Sequence, residues 1–436
     1  MENSNYKDRL VDDLVELNLK TFKAVQLVGP KWCGKTWTSL KHGKSLSSLS
    51  DNNTKRIALL NPDFILSGET PHVIDEWQLV PEIFDSVRNE CDRRITNGNF
   101  ILTSSTSLIS KEDVDKINHT GTGRIAKLNM YTMSTYELGE SSDLISLMDM
   151  YEGKEINKIN EPFSLKDIAR LIINGGWPAN VYNNKEINSL TAKNYIESVI
   201  NNDINEKNNY ESFKFDEARM SMIIKSLAKN ESSYASNPTI LRDAFEVNDE
   251  NEKKISLNTL LRYLNILDKL YITNNTQPFS VNYRSSARIA KSVKRRFVDP
   301  SLAAAALGMT YEKLLKDLNT FGLLFESLVV RDLNIYMSYY MGKTYAFRDN
   351  VSGDEVDAIV EFKDGEYGAI EIKLGQDSID DAIKSLKKFK DNAKRKPKFC
   401  CVIVGLGYGL TRDVKTGTYI VPFNALGMHF NKHQSN

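Results

Sequence analysis

The chain has 436 residues, 41% of them hydrophobic, enough to bury more than one core, and the length points to roughly two to four domains. Its 57 lysines and arginines balance 57 aspartates and glutamates, so no net charge advertises nucleic acid or a membrane surface, and any basic surface has to be local. The four cysteines, at positions 33, 91, 400 and 401, leave no C-x-x-C motif and fit a reduced, cytoplasmic protein.

The polar start, Met1 to Asp8, lacks the apolar core of a signal peptide, and no uninterrupted apolar stretch is long enough to cross a bilayer. The expectation is a cytoplasmic protein with no membrane partner. Lys23 to Val28 suits a buried parallel strand, and Gly29-Pro30-Lys31-Trp32-Cys33-Gly34-Lys35-Thr36 follows it as a complete G-x-x-x-x-G-K-[ST] phosphate-binding loop. Gly29 and Gly34 are expected to adopt backbone angles closed to other residues, turning successive N–H groups toward phosphates. Lys35 would reach the β- and γ-phosphates of ATP, and Thr36 would ligate Mg²⁺.

Ser45 to Asn53 and Asn201 to Asn209 read as exposed Asn- and Ser-rich loops or helix ends, and Arg56 to Asn61 as a strand. His72-Val73-Ile74-Asp75-Glu76 has the form of a Walker B strand. Asp75 would hold Mg²⁺ through water, and Glu76 would orient and polarise the attacking water. Asn99 to Ser105 is a further buried strand ending in small hydroxyl residues, with Thr103 the candidate γ-phosphate sensor. Gly121-Thr122-Gly123-Arg124 leads into a strand from Ile125 to Met130. Arg124 is a candidate arginine finger, within the chain or on a neighbouring copy. Strands separated by helices imply a parallel sheet, with nucleotide at its carboxyl ends.

From Ser141 to about Asp299 the pattern is mainly helical, broken at Gly175-Gly176-Trp177-Pro178. Met222 to Leu227, Ile240 to Ala244 and Leu257 to Leu270, followed by Tyr271 to Thr273, describe three helices and a wing. The third helix carries few basic side chains, so protein contact and base readout both remain open. Arg284, Arg288, Lys291, Lys294, Arg295 and Arg296 form a basic cluster that suits either a solvated face or phosphate contacts.

The last third holds a second constellation. Asp357 precedes the strand Ala369-Ile370-Glu371-Ile372-Lys373, and Glu326 lies on the preceding helix. Glu371 and Lys373 share one strand face. With Asp357 they give the Asp…Glu-x-Lys arrangement of metal-dependent nucleases, in which acids hold Mg²⁺ and the lysine positions water or offsets charge.

Together these motifs resemble a family of bacterial and archaeal ATP-binding proteins that join an AAA-type ATPase core to a C-terminal domain of the unknown-function class 4143. The residues that carry the resemblance are Gly29 to Thr36, Ile74 to Gln78, Phe100 to Ser105, Gly123 to Ile125, Gly175 to Pro178, Phe297 to Pro300, Phe325-Glu326, Asp354 to Asp357 and Ile370 to Lys373. One residue departs from the pattern: Ser104 stands where the family usually has glycine after the sensor threonine. The resemblance implies an α/β protein with a P-loop parallel-sheet ATPase core (1–140), a helical winged-helix-like middle (141–299) and a restriction-endonuclease-like α/β end (300–436). It supports the roles of Lys35, Thr36, Asp75 and Glu76, with ATP and Mg²⁺ as cofactors. Nucleic acid, a protein and further copies of the chain stand as partners. Three functions are compatible with the sequence: an ATPase controlling a nuclease-like module, a nucleotide-gated interaction protein, and an endonuclease regulated by ATP.

Overall fold

The computed structural model describes residues 6–107, 121–181, 186–203, 216–245, 255–280, 292–349 and 353–429. The chain groups into two compact units. One contains residues 1–132, 200–216 and 261–273, the other residues 133–199, 217–260 and 274–436. Residues 141–299 contribute to both units.

The first unit opens with helix α1 (Val11–Thr21), strand β1 (Ala24–Val28), helix α2 (Lys35–His42) and strand β2 (Ser45–Ser48). Helix α3 (Asn52–Leu60), β3 (His72–Asp75), α4 (Ile83–Arg93), β4 (Phe100–Ser104) and β5 (Ile125–Asn129) follow. The five strands lie in the order β2-β3-β4-β1-β5, all parallel. Alternation along the strands divides the apolar residues between two faces. Val25, Leu27, Val73 and Ile101 pack with Val15 of α1 on one face. Ala24, Ile74, Phe100 and Leu102 pack with Ala58, Ile83, Phe84 and Val87 on the other. Because the chain runs from β1 to the far edge and returns through β3 and β4, the loop after β1 opens into the crevice at the carboxyl ends.

Two sequence expectations change here. Arg56 to Asn61 belongs to helix α3, which Asp51 caps by accepting from the Thr54 amide at 2.8 Å, and only Ala58 of that helix is buried. The strand lies earlier, in Ser45–Ser48. As an edge strand with one neighbour and no buried residue it needs no apolar run, which is why it looks like a loop in the sequence.

The second unit contains a seven-stranded mixed sheet. β6 (Ile145–Ser146) lies apart, paired with the late β14 (Leu426–Gly427), whereas β7 (Lys158–Ile159) joins the edge of the large sheet. β8 (Lys343–Arg348), β9 (Glu355–Glu361), β10 (Tyr367–Lys373), β11 (Phe399–Val404), β12 (Gly409–Arg412) and β13 (Tyr419–Pro422) complete it in the order β7-β12-β13-β11-β10-β9-β8. The helix Ile379–Asn392 covers one face through Ala382, Leu386 and Phe389 against Ala369, Val402 and Val404. Strand β10 is central and almost wholly buried, so Glu371 does not lie on a half-exposed surface.

The motifs at Gly175 to Pro178 and Phe297 to Pro300 meet in this unit. The Gly176 amide donates to Asp299 at 3.0 Å, the Trp177 indole donates to Ser301 at 2.9 Å, and Arg331 reaches Asp299 at 3.2 Å. A side chain at Gly176 would lie 2.1 Å from the Met133 carbonyl. These residues hold the core together.

Helices Glu217–Lys229 and Asn237–Phe245 form in the second unit. Helix Leu257–Lys269 also forms, but residues 261–273 group with the first unit, where the Ser107 amide donates to the Lys269 carbonyl at 2.8 Å. Tyr271 to Thr273 is not a regular strand, and just beyond it Thr276 pairs antiparallel with Lys294 in an isolated bridge. Among the described residues no helix is long and apolar enough to cross a membrane.

Candidate functional site

The loop between β1 and α2 is shaped by two glycines for different reasons. Gly34 has φ 104°, in the left-handed region where a side chain is strained. Gly29 has no positive φ. Its requirement is space, since a Cβ there would stand 2.0 Å from the Met130 carbonyl oxygen. The expectation of special angles therefore holds at Gly34 and is corrected at Gly29. Between them Pro30 and Cys33 are buried, Lys31 is half-buried, and Trp32, at φ 61°, is exposed.

Lys35 is buried, and its ammonium donates to the carbonyls of Gly29 at 3.0 Å and Pro30 at 2.8 Å. Thr36 Oγ1 donates to Asp75 Oδ1 at 2.9 Å, and Thr103 Oγ1 donates to the same oxygen at 2.6 Å. The parallel register that sets Leu27 beside Thr103 and Ile74 beside Leu102 brings three sequence-distant residues onto one carboxylate. A hydroxyl and a carboxylate in contact are the hard oxygen donors that Mg²⁺ prefers. The adjacent ammonium has only backbone carbonyls to leave for a phosphate, so the residues present fit a magnesium nucleotide.

Glu76 sits in the left-handed region at φ 57°, and its amide donates to Thr103 Oγ1 at 3.1 Å. Its carboxylate accepts from Ser105 Oγ at 2.7 Å and from the Gln78 side-chain amide. Ser105 and Gln78 stand in the strings quoted from the sequence, but nothing there signals that they hold Glu76. A second unforeseen group is Arg9. It donates to the carbonyls of Cys33 and Tyr131, each at 2.9 Å, and so braces the phosphate loop from behind.

Arg124 does not join this site. It precedes β5, and Ala24 at the start of β1 pairs with Ile125, so Arg124 lies at the amino end of the parallel sheet while the loop lies at the carboxyl end. A five-residue strand separates the two by roughly 16 Å. Its guanidinium pairs with Asp92. Within one copy Arg124 therefore lies away from the phosphate loop.

In the second unit Glu326, Asp357, Glu371 and Lys373 do converge, around a residue that the sequence placed elsewhere. Lys294 is only 2% exposed, and its ammonium lies 2.7 Å from Glu326, 2.9 Å from Glu355 and 3.7 Å from Asp357. Lys373 lies 2.7 Å from Glu371 and 3.3 Å from Asp357, and Arg296 pairs with Glu326. Asp357 also accepts from the Ile372 amide at 2.8 Å. Burial and the neighbouring Asp357 charge push the Glu371 carboxyl up to about 8. Burial would raise Asp357 too, but Lys294 and Lys373 hold it below the usual aspartate range. Burial would lower Lys294, and Glu326, Asp357 and Glu355 together raise it instead.

The basic cluster is accordingly corrected: Lys294, Arg295 and Arg296 are buried, while Arg284, Arg288 and Lys291 lie outside the described residues. The Asp…Glu-x-Lys arrangement implied Mg²⁺ among these acids, and the residues do not fit it. An ammonium occupies the point between the carboxylates, and among the described residues no group of three or more His, Cys, Asp or Glu is arranged to hold a metal ion.

Three families match in succession along the chain. An AAA domain is found over residues 21–139, a domain of unknown function (DUF8612) over 165–313, and a second (DUF4143) over 321–426. The AAA match spans β1 to β5 and therefore the whole phosphate-loop site. No curated protein matches the chain. Among solved structures, a Walker-type ATPase of Pyrococcus abyssi is 14% identical, with 70% of this chain and 97% of that one covered at a TM-score of 0.42. The ORC2 protein of Aeropyrum pernix in its ADP form is 12% identical, with 75% and 97% covered at a TM-score of 0.29.

Proposed function

We propose that the protein is a Mg²⁺-dependent ATPase of the AAA type whose nucleotide state controls a nuclease-like C-terminal module acting on or near nucleic acid. The observation that carries the ATPase reading is the meeting of Thr36 and Thr103 on Asp75 beside the buried Lys35. In this reading the loop amides from Gly29 to Thr36 and the Lys35 ammonium bind the phosphates, with Thr36 and Asp75 as the residues that would hold Mg²⁺. A bound Mg²⁺ neutralises charge on the phosphate oxygens. Thr103 fixes the Asp75 carboxylate and the Glu76 backbone. Glu76 leaves Ser105 and Gln78 to orient the attacking water and take up its proton.

Arg124 keeps one role in the proposal, as a finger reaching the site of a neighbouring copy, where the sheet-end argument does not apply. Mixing folded Arg124→Ala and Lys35→Ala proteins tests it, because each lacks a different half of a shared site. Recovered hydrolysis supports the shared site, and no recovery in an assembled mixture contradicts it.

The main reading is tested by following tryptophan emission and phosphate release as ATP and Mg²⁺ are added, since Trp32 is exposed within the loop itself. Saturable changes in both support it, and a folded protein that answers in neither contradicts it. A second reading has a specific observation in its favour. With Lys294 lodged among its acids, the C-terminal domain is suited to gripping a partner rather than cutting one, which makes the chain a nucleotide-gated interaction protein.

A further inference from the structure

We infer that the carboxylate cluster of Glu326, Glu355 and Asp357 is a cation site filled by the chain's own Lys294, and that removing this side chain opens it to a divalent metal ion. Three contacts from two elements converge on one ammonium: Glu326 from the helix Leu318–Tyr339, and Glu355 and Asp357 from β9. The Tyr234 ring lies 5.5 Å from the same ammonium.

The lysine is also fixed from behind. Its amide donates to the Thr276 carbonyl at 3.0 Å, and its carbonyl accepts from the Thr276 amide at 2.9 Å. The next residue donates its amide to the Ser233 carbonyl at 2.7 Å, and the Arg296 carbonyl accepts from the Asn274 amide at 2.9 Å. A backbone bonded on both sides gives the side chain little slack with which to swing out. Moving it would strip the carboxylates of their partner, which is strongly destabilising when an ion pair is broken on one side.

A divalent ion entering beside the ammonium would meet a like charge at contact distance. Lys373 and Arg296 add two more cations to the same carboxylates. The charge that Mg²⁺ would supply in a nuclease-like site is thus already present, carried by lysine and arginine. This inference does not depend on the ATPase reading, because no phosphate-loop residue belongs to the cluster.

The test is Mn²⁺ binding to the nucleotide-free full chain, followed by electron paramagnetic resonance of the free ion. Wild type and Asp357→Asn are expected to bind Mn²⁺ alike. Lys294→Met is expected to gain one site about tenfold or more tighter than any in wild type, with a matching Mn²⁺-dependent rise in melting temperature, and Lys294→Met/Asp357→Asn to lose it. Should Lys294→Met fail to fold alone, it is expected to fold when Mn²⁺ is supplied, because the ion replaces the missing charge, and failure to fold with the ion present overturns the inference. Wild-type Mn²⁺ binding that disappears in Asp357→Asn overturns the inference, as does a folded Lys294 variant that gains no site.

Discussion

At the phosphate loop, Asp75 meets two hydroxyl groups, and the nearest lysine, Lys35, rests on two backbone carbonyls. At the C-terminal cluster, Asp357 faces two lysines whose ammonium groups already answer the acids around them. Both regions bring an aspartate and a lysine together at one end of buried strands, Asp75 at the carboxyl end of β3 and Asp357 near the amino end of β9. They differ in whether the cation is held by groups that a ligand can replace. A carbonyl is a weak claim on an ammonium, and a phosphate outbids it. A buried carboxylate is a strong one, and breaking it leaves an uncompensated charge. The same residue types therefore prepare one site to receive a charged ligand and the other to exclude one.

The sharpest way to break the comparison is at Glu76. Glu76→Gln keeps the shape of the side chain but removes its capacity to take a proton, so ATP binding is expected to persist while hydrolysis falls by about a hundredfold or more. Turnover equal to wild type would remove Glu76 from the catalytic assignment and leave Asp75 alone, on the metal.

The next effect concerns stability, and here the two units are expected to respond to pH in opposite directions. Buried Glu231 accepts from the Ser327 hydroxyl at 2.6 Å and the Phe297 amide at 3.1 Å, and burial pushes its carboxyl up to about 7. Its unfolded value is about 4.3, so the folded state holds the extra proton between the two. The contribution to stability is complete below the lower value and lost as pH rises through about 7. Glu231→Gln should flatten that decline by on the order of 3 kcal/mol between pH 5 and 7 in urea unfolding, and an unchanged slope would show that another group is responsible.

Asp12 in the first unit behaves the other way. Burial would raise it, but His42, the Arg9 amide and Lys41 hold it below the usual range. Its contribution is present above the unfolded value and lost as pH falls. Asp12→Asn is expected to reduce the acid sensitivity of the first unit, measured by hydrogen exchange of β1 amides, and exchange equally acid-sensitive in the variant would contradict this.

A smaller effect is expected at Ser105. Its hydroxyl holds Glu76 at 2.7 Å, and one hydrogen bond of about 1 kcal/mol corresponds to a several-fold change. Ser105→Ala should raise basal turnover by roughly threefold with ATP affinity unchanged. Unaltered turnover would mean that the contact does not restrain the glutamate.

What the sequence made legible was local in the chain. The phosphate loop is contiguous, and β1, β3 and β4 are apolar runs ending in the residues that meet at Asp75. The Asp…Glu-x-Lys elements were visible for the same reason, as strands with their polar ends in view. What stayed hidden depended on folding distance. Lys294 looked like part of a basic surface run, because nothing in the chain signals that its backbone pairs with Thr276 and buries it. Arg124 looked close to the site because β5 belongs to the same sheet, and only the parallel register shows it at the opposite end. Strand β2 escaped because an edge strand needs no apolar pattern, and α3 was mistaken for a strand because only one of its residues faces the core.

The central claim is that the loop site binds and turns over a magnesium nucleotide. The most direct measurement is ATP binding and phosphate release by purified full-length wild type and Lys35→Ala, each shown to be folded by its circular dichroism. Wild type should bind ATP saturably and release phosphate only with Mg²⁺, and Lys35→Ala should lose both, because the loop no longer has its buried cation facing the phosphates. Undiminished ATP affinity and turnover in a folded Lys35→Ala protein would contradict the account.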